Sequence, residues 1–97
     1  MTDIDVTSQA QSDGWTASVV LTDPDGSSSR HEVTVTRAVL DRLAPGSEDP
    51  VDLVRRSFVF LLAREPKESI LRTFDLQAIG RYFPEYERGI RPGGAPT

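Results

Sequence analysis

Three runs of alternating apolar and polar residues, linked by short turns, occupy residues 3–35 and constrain the fold more than any other feature. Ile4, Val6, Ser8 and Ala10 alternate with Asp3, Asp5, Thr7 and Gln9, the period of a strand with one covered face. Gln11-Ser12-Asp13-Gly14 supplies turn chemistry before Trp15, Ala17, Val19 and Leu21 repeat the pattern against Thr16 and Ser18. Asp23-Pro24-Asp25-Gly26 is a second turn, with proline presetting φ and glycine tolerating the left-handed position. His31, Val33 and Val35 then alternate with Arg30, Glu32 and Thr34. The reading is a three-stranded antiparallel meander over about 3–11, 14–22 and 29–35. Its outer face carries Asp3, Asp5 and Glu32. Its inner face carries Ile4, Val6, Trp15, Val19, Leu21, Val33 and Val35, and must be roofed by the chain beyond Thr36.

Residues 37–90 read as three to four helices, making the fold class α+β. Thr36 suits the N-cap of a helix over 37–44 that buries Val39, Leu40 and Leu43, with Pro45-Gly46 ending it. Asp49-Pro50 is an acid cap followed by proline at the first helical position, and Asp52 suits the N-terminal dipole. The helix it opens spans 50–63 on a stripe of Val51, Val54, Phe58, Leu61 and Leu62. Leu53, Val59 and Phe60 widen the stripe almost all round, as in a helix at the centre of a domain or at a subunit contact. A short helical piece is expected over 66–72. Another stretch, over 75–90, would be capped by Asp75, stapled by Phe74 against Ile79 and interrupted at Pro84.

The 97 residues suit one domain over 1–90, with 91–97 expected as a disordered tail. Without cysteine there is neither a disulfide framework nor a thiolate metal site. The start resembles no signal peptide, and the longest apolar run, Phe58 to Ala63, is far too short to span a bilayer. A cytoplasmic protein that makes no membrane contact is the expectation. The net charge of −4 is unevenly spread: residues 1–52 hold ten acids and three arginines (−7), and residues 53–97 hold five acids and eight bases (+3).

Groups able to carry catalysis are few. The single histidine, His31, falls on the inner face of the third strand, where packing beside Trp15 or the first helix is expected. Asp23-Pro24-Asp25-Gly26 lacks the further acids of a calcium loop, and no phosphate-binding glycine motif occurs. No cofactor, metal or enzymatic activity is expected. The most distinctive stretch is Leu61 to Arg88, where Phe74, Tyr82, Phe83 and Tyr86 interleave with Arg72, Arg81 and Arg88. Arginine and tyrosine together are the composition of protein-interaction hot spots, so Arg72, Arg81, Tyr82, Tyr86 and Arg88 form the candidate interaction surface.

This stretch, with EPKESILR at 65–72, FDL at 74–76, Ile79 and YFPEYE at 82–87, resembles a family of small bacterial proteins that has no assigned function. The resemblance implies a self-contained domain and carries over no activity, cofactor or site residue. The resulting expectation is a small intracellular interaction domain with a protein partner, with homodimerisation as one possibility. The alternative is a nucleic-acid accessory acting through the basic helical half. Small DNA-binding folds of three strands and a helix read DNA with the exposed sheet face. That face is acidic here, the wrong sign for phosphate contacts.

Overall fold

The two short turns close the first three strands into the expected meander in the computed structural model, which describes residues 2–90. The tail expected at 91–97 lies outside the described residues. Strands β1 (Asp3–Gln11), β2 (Gly14–Thr22) and β3 (Ser28–Thr36) pair antiparallel, β1 with β2 from Asp3↔Thr22 to Gln11↔Gly14 without a bulge. Every apolar residue read as inward is buried except Ile4, which is half-buried.

Two helices complete the roof. Helix α1 (Arg37–Leu43) begins where Thr36 Oγ1 accepts the Val39 N–H, and it buries Val39, Leu40 and Leu43 as expected. Helix α2 (Val51–Leu62) starts one residue later than the expected 50–63 span, with Pro50 (φ −90, ψ 6) at its N-cap, and the Asp49 carboxylate accepts the Val51 N–H at 2.9 Å. Leu53, Val54, Phe58 and Leu61 of α2 face the core. Phe58 is fully buried, its ring 5.5 Å from His31 and 6.1 Å from Phe74. Burying such a side chain is worth about 1.5–3 kcal/mol, so this stripe fastens the roof. The all-round apolarity does not carry through to burial. Val59 is 57% exposed, because it shares the outer face of α2 with Asp52 and Arg55.

The C-terminal third departs from the expected helices. The piece expected over 66–72 is only a 3₁₀ turn at Lys67–Ser69, after which Ile70 is extended. Thr73–Asp75 then forms a fourth strand, β4, parallel to β3, giving a mixed sheet in the order β1-β2-β3-β4. The free side of β3 has backbone groups to satisfy: the Glu32 N–H donates to the Arg72 carbonyl at 2.7 Å, and the Leu76 N–H donates to the Thr34 carbonyl at 2.9 Å. Three residues are too few to show a period, so local pattern reads them as a helix approach. Asp75 consequently does not cap a helix at Leu76; it accepts the Gln77 N–H in a turn. The span 75–90 resolves into two five-residue helices, α3 (Ala78–Tyr82) and α4 (Tyr86–Ile90), on either side of Pro84.

Among the described residues no helix is long and apolar enough to cross a membrane.

Candidate functional site

Parallel β4 brings the segment from Ile70 to Phe83 alongside the C-terminal end of α2, and a groove of about 380 Å³ lies between them. Leu61 and Glu65 line it from the end of α2 and just beyond, Ser69, Ile70 and Leu71 from the 3₁₀ turn and the stretch after it, and Phe74 from β4. Ala78, Ile79, Tyr82 and Phe83 line it from α3 and its C-cap. Leu71 and Tyr82 stand at the mouth with 54% and 68% exposure, a large apolar side chain and an aromatic one left facing water.

The far wall is stiffened by an aromatic cluster. The Phe60 ring meets Phe83 edge-on at 5.8 Å and Tyr86 edge-on at 5.3 Å. The Arg64 guanidinium sits 3.6 Å above the Phe60 ring and pairs with Glu85 at 3.3 Å. The Glu85 carboxyl is held below its usual range, first by its own backbone N–H and further by Arg64. Cation–π and edge-on contacts of this kind fix ring orientation, so Phe83 presents a rigid face to the groove.

The residues expected to form one Arg/Tyr surface are divided. Tyr82 lies at the groove mouth, and Arg81 precedes it on the same helix, exposed. Arg72 is exposed next to Leu71, its carbonyl engaged by β3, and Arg88 is exposed on α4. Tyr86 is not on the surface. It is 1% exposed, with its hydroxyl 2.6 Å from Ser57 Oγ inside the α2–α4 contact. Burial pushes that hydroxyl up to about 12. The i,i+4 spacing of Tyr82 and Tyr86 would align them on a continuous helix, but Phe83 is extended (φ −130, ψ 89) and turns them apart.

Sequence reasoning missed the groove residues Leu61, Ile70, Leu71 and Ala78. The available signal was the apolar pair Ile70-Leu71 in the short stretch between Pro66 and Asp75.

His31 is the other candidate. It does not pack beside Trp15 as an edge residue: β4 makes β3 internal, and the ring lies against Phe58, 1% exposed. Leu71 O is 2.8 Å from Nδ1 and can only accept, so Nδ1 carries the proton; in the neutral ring Nε2 accepts from Ser29 Oγ at 2.8 Å. A serine two residues away on the same strand face is therefore hydrogen-bonded to the ring. Neither Ser29 nor His31 lines the groove, and the pair ties β3 to the Leu71 segment. Among the described residues no cluster of three or more His, Cys, Asp or Glu is placed to hold a metal ion.

Comparison with protein-family models, with curated proteins and with solved structures finds no match.

A further polar centre was not foreseen. Lys67, the sole lysine, is 4% exposed, and its ammonium donates to Asp23 Oδ2 at 2.7 Å, to Ser27 Oγ at 2.9 Å and to Glu68. Thr2 adds a bond to the other Asp23 oxygen at 2.7 Å. The β2–β3 turn is thereby clamped to the 3₁₀ turn, with every donor position of the ammonium used. This assigns the EPKES stretch a structural task.

Proposed function

We propose that the chain is a small interaction domain whose groove receives an apolar side chain from a partner protein. The reading is carried by one observation: Leu71 and Tyr82 remain exposed among the residues lining a 380 Å³ cleft whose surface is mostly apolar. Water-facing apolar side chains around a concavity are what a binding site leaves uncovered in the free protein. Tyr82 is the residue type that concentrates binding energy when desolvated, and Arg72 and Arg81 stand beside the groove residues in sequence to meet polar groups at the rim. Glu65, half-buried, and Ser69 provide the groove's polar end. Nucleic-acid binding gains no support from an apolar groove with a carboxylate in its wall.

Selection from a displayed peptide library tests the reading. Enriched peptides should share one bulky apolar residue, and titration calorimetry should show affinity falling at least tenfold in Tyr82→Ser and in Leu71→Asp, about 1.4 kcal/mol or more. Ala78→Trp, which fills the groove from α3, should block binding while the far-UV spectrum stays unchanged. Failure to enrich any peptide, or indifference of the enriched ones to all three substitutions, would defeat the proposal.

A further inference from the structure

We propose that the chain pairs with a second copy of itself along the outer edge of β1, continuing the sheet antiparallel about a two-fold axis at Thr7. The surface lies on β1, apart from the groove, and the inference stands independently of the function proposed above.

The sheet has two edges. One is β4, three residues long. The other is β1, nine residues long and in unbroken register with β2 from end to end. An open edge presents unpaired N–H and C=O groups, and isolated domains blunt such edges with proline, lysine, bulges or brevity. The sequence of β1, DIDVTSQAQ, has no proline, lysine or bulge, and its only charges, Asp3 and Asp5, lie in its first three residues. Its side chains are also idle: among the described residues no side-chain hydrogen bond or ion pair involves positions 3–11. Asp3, Asp5, Thr7, Gln9, Ala10 and Gln11 are all exposed.

The charge pattern selects the partner and the register. Residues directly opposite one another in an antiparallel pair lie on the same sheet face, so even positions meet even ones and odd meet odd. The register centred on Thr7 is the one that pairs all nine residues. On the outer face it sets Asp3 against Gln11 of the second copy and Asp5 against Gln9, with Thr7 against Thr7. Each carboxylate then faces an amide that can donate to it, on both sides of the axis. On the inner face Ile4 meets Ala10, and Val6 meets Ser8, so half-buried Ile4 and exposed Ala10 gain cover. Shifting the axis to Asp5 would put two carboxylates directly opposite and leave four residues of each strand unpaired. Cross-strand pairs of opposite polarity stabilise a sheet, and like charges directly opposite destabilise it. One half of the strand is acidic and the other is amide-bearing, so the edge is complementary to itself.

The test uses the full chain. Sedimentation should give a dimer, and Thr7→Lys, which sets two ammonium groups face to face at an exposed position, should raise the dissociation constant at least tenfold with the far-UV spectrum unchanged. Thr7→Cys introduces the only thiol, and the two symmetry-related sulfurs fall within bonding reach, so mild oxidation should convert it to covalent dimer. Asp5→Cys and Gln9→Cys should each resist cross-linking alone, since each is about 14 Å from its own copy, but should cross-link when mixed. Tyr82→Ser should leave the dimer intact. A wild-type monomer at every concentration, a dimer insensitive to Thr7→Lys, or cross-linking of Asp5→Cys alone in place of Thr7→Cys would overturn the proposal.

Discussion

Ser57 and Tyr86 show how one hydroxyl pair can hold two helices. Ser57 Oγ donates its only proton to the Leu53 carbonyl at 2.7 Å, so the 2.6 Å contact with Tyr86 has the phenol as donor. This direction ranks the substitutions. Tyr86→Phe strands no donor and should cost about 1 kcal/mol, while Ser57→Ala leaves a buried O–H without an acceptor and should cost about 1–3 kcal/mol. Urea midpoints should place Ser57→Ala below Tyr86→Phe, and the double variant should recover part of the loss. A reversed order would mean the proton lies elsewhere. Burial also holds the phenol protonated to about pH 12, whereas an unfolded tyrosine releases its proton near 10. The associated stability is complete below pH 10 and is lost as pH rises toward 12. The alkaline fall of the urea midpoint should therefore be shallower in Tyr86→Phe than in the wild type.

At the scale of elements, two turn glycines do different jobs. Gly26 has φ 89 and open space around it, so alanine there meets only the left-handed penalty of about 1–2 kcal/mol. Gly14 lies in ordinary strand geometry, but a β-carbon would stand 2.1 Å from the Val35 carbonyl oxygen and 2.7 Å from Thr36 Cα. Both are backbone atoms, and β3 passes there just before it enters α1. Gly14→Ala must push β2 and β3 apart at the point where the Asp13 carbonyl accepts the Arg37 N–H at 2.9 Å. Overpacking costs about 1–3 kcal/mol and more where backbone cannot yield, so calorimetric melting should drop further for Gly14→Ala than for Gly26→Ala. Sequence marks both as turn glycines; only the packing separates a conformational requirement from a steric one.

Across the whole molecule, Lys67 joins segments 40 and 44 residues apart, holding the β2–β3 turn against the chain that leads into β4. The Lys67 hydrogen bond keeps the Asp23 carboxyl below its ordinary range, helped by Thr2, and the same ammonium lowers Glu68. Folded carboxylates of depressed pKa add stability above the ordinary carboxylate range, and it is lost as acid protonates them. Lys67→Met should lower the melting temperature at neutral pH, and should flatten its decline between about pH 5 and about pH 3, since the variant has less of that linkage to lose. Equal acid slopes in the two proteins would remove Lys67 as the cause. What the sequence determined by itself was the meander, its inner face, α1 and the buried stripe of α2, because periods of two and of 3.6 and their caps are properties of neighbouring residues. Tertiary structure alone decided the rest. β4 exists because the free edge of β3 needed partners some 40 residues on in the chain. Tyr86 is buried and Tyr82 exposed because a break at Phe83 turns two short helices apart. The groove is the space those two decisions leave, and contacts between distant segments have no local period from which to be read.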